Sequence, residues 1–294
     1  MSRRGRIIRA VVIIVCLIAA AGYGFTYYFL NSISVHEGAE GYPVPGKRVN
    51  VAVMGVANGL ADTIMLCSFE PKDGSVDVFS IPRDTYITRE GHKTSANNKI
   101  NSTYGRGGAD NVVKGVSSLT GVDVHYYVQV DYKAVKEIVD AMGGIKATVP
   151  MDMNYDDPAD GLHIHFDKGQ VVSKGEDIIK LLRFRKNNKG GGYKDGDLGR
   201  VKMQQEIVKL GMEKVLKENP VANFLKLQGP IKEYVKTNMS PKQMMSYITK
   251  AQKIKKENIS LQTIPGRADN INHLSFYVVN KDEMRKALKA IAEE

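Results

Sequence analysis

Alternating and helically spaced apolar positions divide the 294-residue chain into strands, amphipathic helices and glycine-marked turns. Residues 49–56, VNVAVMGV, alternate and then run apolar into Ala57-Asn58-Gly59, as a strand with one buried face does. Residues 63–71, TIMLCSFEP, predict a second strand. After a turn on Asp73 and Gly74, residues 76–81, VDVFSI, predict a third. Residues 99–119 read as mainly helical, with Gly105, Gly107 and Gly108 among them. Residues 124–130 are strand, and 132–142 form an amphipathic helix stopped by Gly143 and Gly144. A further strand follows at 145–149. LLRFRK, residues 181–186, is expected as a strand, and KNNKGGGYKDGD, 186–197, as a mobile polar loop. Residues 198–216 predict a helix with Val201, Val208, Met212 and Val215 as its apolar stripe. Helices near 223–237 and 241–256, a strand at 259–264 and a terminal helix from Lys281 complete the chain. Strand and helix alternate, which predicts an α/β fold: one α-β-α layered domain with a central mixed sheet over residues 48–294.

The pattern ahead of that domain is different. Arg3, Arg4, Arg6 and Arg9 are followed by an uncharged stretch from Ala10 to Ser34, long enough for the roughly 20 apolar residues that cross a bilayer. Positive charge before the run places residues 1–9 in the cytoplasm, 10–30 in the membrane as a single transmembrane helix, and the rest outside. Residues 31–47, with Gly38, Gly41, Pro43, Pro45 and Gly46, form an extracytoplasmic tether. The rival is a cleaved signal peptide ending at Ala19–Ala21; the apolar run continues well past those alanines. The expected location is therefore the cell membrane, single-pass.

Composition adds the sign of the partner. Hydrophobic residues at 43% and charged residues at 25% exclude general disorder. Removing the four N-terminal arginines from a net +10 leaves +6 on the exported part, which favours an anionic partner: a phosphate-bearing wall polymer or lipid headgroups. Location sets nucleic acid aside. Cys16 and Cys67 make no disulfide framework, and Cys67 reads as a small apolar filler.

The candidate chemistry centres on SIPRDTYI. Pro82 ends a strand and delivers Arg83 and Asp84 side by side, while Asp62 opens the neighbouring strand. Hairpin geometry puts one strand's start beside the other's end, so Asp62 and Asp84 could share a Mg²⁺ ion with substrate phosphate. The same aspartates also suit a turn and an ordinary ion pair. At strand spacing Arg183 and Arg185 project to one face, suited to bidentate phosphate contacts or to a solvated edge strand. Asp197 is a plausible N-cap, and Arg200 and Gln204 lie one helical turn apart. His163 and His165 share a face but lack a nearby third ligand, so a zinc site is not supported. Asn101-Ser102-Thr103 matches a glycosylation sequon, a weak motif. There is no Walker loop, nucleophile elbow or Cys/His cluster.

In order, the apolar anchor, ADTIML, SIPRDTYI, NKINSTYGRGG, VDAMGGI, LLRFRK and GDLGRVKMQQ resemble the LytR-CpsA-Psr family across nearly all of the exported chain. The resemblance implies a Mg²⁺-dependent phosphotransferase that attaches polyprenyl-pyrophosphate-linked glycopolymer, of teichoic acid or capsule type, to peptidoglycan at the cytoplasmic membrane. It implies Asp62 and Asp84 as metal-side carboxylates and Arg83, Arg183, Arg185 and Arg200 as pyrophosphate ligands. Lys99, Asn101 and Gln204 would complete the polar shell. Two positions depart from the family pattern: Leu60 stands where an arginine is usual, and Lys202 replaces an arginine ahead of the glutamine pair. A binding or regulatory module without turnover, or a pyrophosphatase using water as acceptor, would need the same residues.

Overall fold

Asn58 and Gly59 turn the chain in two residues. Both have positive φ, +50° and +74°, as the tightest β-hairpin turns require, and Ala57 pairs directly with Leu60 across the turn. The hairpin joins β2 (Val49–Ala57) to β3 (Leu60–Phe69), with the short β1 (Ser34–Val35) earlier in the chain and β4 (Val76–Ile81) next. The computed structural model describes residues 34–35, 42, 44–88, 95–217 and 220–292. The predicted transmembrane segment, residues 10–30, lies outside them. Among the described residues no helix is long and apolar enough to cross a membrane.

Two 3₁₀ turns, Ala96–Asn98 and Ile100–Arg106, lead into α1 (Gly108–Thr120), β5 (Tyr126–Val130) and α2 (Tyr132–Ala141). The β6 (Ala147–Thr148), β7 (Met153–Asp157), β8 (Leu162–Phe166) and β9 (Val171–Val172) strands follow, then α3 (Gly175–Arg183) and α4 (Asp197–Lys217). The remainder is α5 (Pro220–Tyr234), β10 (Lys236–Thr237), α6 (Pro241–Ala251), β11 (Ile259–Thr263), β12 (Gly266–Ile271), β13 (Leu274–Val279) and α7 (Lys281–Ala292). Seven strands form one mixed sheet in the order β1-β10-β5-β2-β3-β4-β11. Antiparallel β2-β3-β4 is flanked by parallel neighbours, β5 beside β2 and β11 beside β4.

Strand alternation divides the core. Met54, Ile64, Leu66, Phe79 and Ile81 point to one side and bury against Val112 and Val116 of α1 and Met284 and Leu288 of α7. Met65 and Val78 point to the other, where Val208 and Met212 of α4 cover them. Helices thus lie on both faces of the sheet. A separate core joins α2, α3 and the β7–β8 hairpin through Val139, Ile164, Ile178 and Leu181, with Phe184 just after α3 and Met203 and Ile207 of α4 entering it too.

That double role corrects the predicted stripe on α4: Val215 is exposed, because the helix is wedged between two cores and buries two faces. LLRFRK is corrected as well. Its first three residues end α3, where Ile178, Leu181 and Leu182 pack at helical spacing, so Arg183 and Arg185 do not share a strand face. The expected tether also contributes to the fold: β1 pairs with β10, and the Tyr42 hydroxyl donates to Asp110 of α1 at 2.6 Å. Cys67 packs beside Met65 and Val78, and burial pushes its thiol up to about 12, consistent with an inert filler.

Candidate functional site

The β3–β4 ladder pairs Ile64 with Ile81, so two residues further on Asp62 and Arg83 meet where the strands part. Arg83 Nη1 donates to Asp62 Oδ1 at 2.6 Å. Pro82 ends β4 because it offers no N–H to the ladder. Its carbonyl then accepts both the backbone N–H and the hydroxyl of Thr85, at 2.9 and 2.6 Å, closing a fixed turn. The carbonyl of Asp84 is held in addition by the N–H of Tyr277 on β13. Arg83 and Asp84 therefore project from a well-anchored backbone.

The segment after the first 3₁₀ turn runs alongside. Ile100 N–H donates to the Thr85 carbonyl and Asn101 N–H to the Arg83 carbonyl, at 2.9 and 3.1 Å, and Lys99 Nζ sits 2.9 Å from Asp84 Oδ1. Asn101 is 7% exposed, which leaves no room for a glycan on the sequon.

Arg200 and Gln204 arrive from the first turns of α4, both buried. The residue that ties them in was misassigned by sequence. Asp197 does not act as an N-cap; it is the first residue of α4, and its Oδ1 lies 2.7 Å from Arg200 Nη2 and 3.8 Å from Arg83 Nε. Its signal was the i, i+3 spacing to Arg200. Gln205, the other glutamine, fixes the helix by donating to Ser80 and Thr263 hydroxyls on β4 and β11, at 3.0 and 3.1 Å.

A cavity of about 280 Å³ opens beside this cluster, with Asp62, Tyr132, Arg183, Arg185 and Arg200 in its wall. The guanidinium of Arg183 lies 5.2 Å from the centre of the Tyr132 ring and pairs with Asp160 in the β7–β8 turn. Arg185 stands exposed at the rim. The predicted residues thus form two connected groups. Asp62, Arg183, Arg185 and Arg200 line the cavity, while Asp84, Lys99 and Asn101 gather at the end of β4, with Arg83 joining the two. Tyr132, Asp157 and Asp160, also in the cavity wall, were not singled out from sequence. They carry no motif, and only the three-dimensional path of the hairpin brings the aspartates to Arg183.

The loop after α3 is more firmly held than its glycines suggest. Asn187 Oδ1 and Asn188 Oδ1 accept the N–H groups of Asn154 and Asp156 on β7. The Tyr193 ring meets Phe184 edge-on at 5.6 Å, and the side chain packs so closely over Gly199 that a Cβ there would fall 2.3 Å from Tyr193 Cβ and 2.5 Å from the ring.

The electrostatics favour an anion with a counter-cation. Burial works against charge on Arg83, but the hydrogen bond to Asp62 and the fields of Asp197, Asp62 and Asp84 outweigh it and raise its pKa. Burial dominates at Arg200 and lowers its pKa, although a guanidinium stays charged. Arg83 Nε and Arg200 Nε are buried N–H donors with no hydrogen-bond acceptor, and neither buried oxygen of Asp197 receives a directed hydrogen bond. Orphaned buried donors call for an oxygen-bearing ligand. Asp62 and Asp84 each commit Oδ1 to a cation and keep 21% and 24% of the side chain exposed. A pair of part-exposed carboxylates suits Mg²⁺, which takes one or two carboxylates together with phosphate oxygens.

Comparison with known proteins converges on one family. The LytR_cpsA_psr family model matches residues 39–293. The polyisoprenyl-teichoic acid–peptidoglycan teichoic acid transferase TagU of Bacillus subtilis is 25% identical over 99% of this chain and 97% of its own. The TagU of Bacillus cereus is 30% identical over 85% and 79%. For the Bacillus subtilis transferase TagV, 29% identical over 69% of this chain, the match spans about half, 48%, of TagV's own length. The crystal structure of Bacillus subtilis TagV superposes with a TM-score of 0.70 at 25% identity, covering 85% of this chain and 98% of that one. With the family model covering residues 39–293 and the fold shared with a solved relative, the chain belongs to the LytR-CpsA-Psr family.

Proposed function

We propose that this protein is a membrane-anchored, Mg²⁺-dependent phosphotransferase that moves a glycopolymer of teichoic acid or capsule type from a polyprenyl-pyrophosphate carrier to peptidoglycan. The observation that carries this reading is the pair of buried N–H donors without a hydrogen-bond acceptor, Arg83 Nε and Arg200 Nε, beside Asp62 and Asp197, with Arg200 and Asp62 in the wall of a cavity that Arg183 and Arg185 also line. The names of the curated relatives support the donor and acceptor classes, because TagU and TagV are teichoic acid transferases acting on peptidoglycan.

In the reaction an acceptor sugar hydroxyl attacks the phosphorus next to the glycopolymer. The bond to the bridging oxygen breaks, polyprenyl phosphate leaves, and a phosphodiester to peptidoglycan remains. Arg83 and Arg200 donate to the pyrophosphate oxygens, and Arg183 and Arg185 supply further donors from the cavity wall and rim. Lys99 orients Asp84, and Asp197 orients both Arg83 and Arg200. Mg²⁺ held by Asp62 and Asp84 would supply charge neutralisation at the transferring phosphoryl group. Asp62 is also placed to accept the proton of the attacking hydroxyl, since it lines the cavity.

The experiment uses the full chain in detergent with a polyprenyl-pyrophosphate-linked saccharide, peptidoglycan and Mg²⁺. Label should appear on peptidoglycan with equimolar polyprenyl phosphate. Metal-independent binding without release would replace the reading with a binding module. Release of polyprenyl phosphate without labelled peptidoglycan would replace it with a pyrophosphatase.

A further inference from the structure

The outer face of the β7–β8 hairpin carries a cluster that the arginine cavity does not use. Antiparallel pairing sets Asp156 opposite His163 and Asn154 opposite His165. Alternation puts these four side chains on the solvent face, whereas Tyr155, Asp157 and Leu162 line the cavity. His163 Nδ1 lies 2.6 Å and His165 Nε2 3.1 Å from Asp156 Oδ1. One ligand atom from each of Asp156, His163 and His165 falls within 4.8 Å of the others. From sequence the two histidines lacked a third ligand; the cross-strand aspartate supplies it.

Two features go beyond proximity. His165 Nδ1 meets Asn154 Oδ1 at 2.7 Å. An amide oxygen only accepts, so this contact keeps a proton on Nδ1 and leaves Nε2, which faces Asp156 Oδ1 at 3.1 Å, as the nitrogen that gives up its proton to bind an ion. Metal-binding imidazoles are oriented by such outer contacts. The backbone under the carboxylate is also clamped. Asn188 Oδ1 accepts from Asp156 N–H at 2.6 Å and its Nδ2 donates to the Asp156 carbonyl at 2.9 Å.

We propose that Asp156, His163 and His165 form a site for one divalent first-row transition ion of the Zn²⁺ type, separate from the Mg²⁺ proposed at Asp62 and Asp84. Two imidazoles and a carboxylate suit Zn²⁺, whereas Mg²⁺ prefers oxygen alone. A tetrahedral ion with ligands at roughly 2.0–2.1 Å spaces them about 3.3 Å apart. The ligand atoms here lie between 2.6 and 4.8 Å from one another, so side-chain rotation is enough to close the site. All three residues are exposed, which leaves the fourth position to water.

The test is calorimetric titration of the full chain in detergent with Zn²⁺, and Co²⁺ absorption as a direct readout of coordination. With Mg²⁺ in excess to fill the proposed site at Asp62 and Asp84, one Zn²⁺ per chain is expected. His163→Ala and His165→Ala should each weaken binding by about tenfold or more, at least the loss that removing an outer contact causes. Asp84→Ala should leave it unchanged, and circular dichroism should show all variants folded. The proposal is overturned if no Zn²⁺ binds, if the double variant His163→Ala/His165→Ala binds it as tightly as the parent, or if half an ion binds per chain.

Discussion

Arg83 and Asp84 are neighbours in sequence with different partners. Arg83 bridges Asp62 and Asp197, and Asp84 holds Lys99. Replacing Arg83 with alanine removes a donor to phosphate, so ligand binding should weaken by about 1.5–3 kcal/mol, the worth of one charge-assisted hydrogen bond, at any Mg²⁺ concentration. Asp84→Ala should instead raise the Mg²⁺ concentration needed for half-maximal release of polyprenyl phosphate and be partly rescued by excess metal. A Mg²⁺ titration of both variants separates the two effects; two fully active variants would mark the Arg83–Asp62 and Asp84–Lys99 pairs as purely structural. Arg48 offers a contrast far from the cavity. It is 7% exposed, donates to Ser68 Oγ at 2.7 Å and pairs with Asp77 at 2.7 Å. Arg48→Ala leaves those groups without their cation and should cost about 3 kcal/mol in chemical denaturation, with little change in turnover per folded molecule.

At the scale of elements, the local patterns that were legible are those with one buried face and a clear stop. The β2–β3–β4 meander follows from alternation, from Asn58-Gly59 and from Asp73-Gly74, and it delivers Asp62 beside Arg83 as hairpin geometry requires. LLRFRK was misread because its alternating letters conceal the end of a helix that starts at Gly175, where Ile178 and Leu181 carry the period. The α4 stripe was misread because a helix between two cores has no single apolar side. Asp160 and Tyr132 were illegible for another reason: their contacts with Arg183 run between distant segments, whereas the i, i+3 spacing of Asp197 to Arg200 is there to be read but also suits a cap. Two variants test the elements themselves. Gly59→Ala forces a side chain onto a residue at φ +74° and should cost about 1–2 kcal/mol, the left-handed penalty. It should also lower activity by shifting Asp62, although Gly59 itself touches no substrate. Gln205→Ala removes two hydrogen bonds that dock α4 on the sheet. Each is worth about 0.5–1.5 kcal/mol, so a fall in thermal stability together with weaker anion binding is expected, because Arg200 rides on the same helix.

Along the whole chain an arginine-flanked apolar run is followed by a folded unit, from β1 onward, with its own cores and a cationic cavity. The fold brings Arg83, Arg200 and the carboxylates of the proposed phosphate site together, and the proposed donor gives the apolar run a role as an anchor. On the proposed reading the polyprenyl donor is confined to the membrane, so an anchor in residues 10–30 would convert an encounter in three dimensions into one at high effective concentration. The consequence is measurable. The full chain should stay with the membrane fraction through high-salt washing; recovery of mature protein from culture fluid without residues 1–21 would overturn the anchor. Chain starting at residue 31 should turn over a short, water-soluble prenyl-pyrophosphate-linked saccharide as fast as the full chain, because Arg83, Arg200 and the carboxylates are all retained. On a long-chain donor in vesicles it should fall behind by about 10²-fold, the scale on which lost tethering acts. Equal rates on both donors would show that the cavity alone recruits the lipid and that the apolar run serves export rather than catalysis.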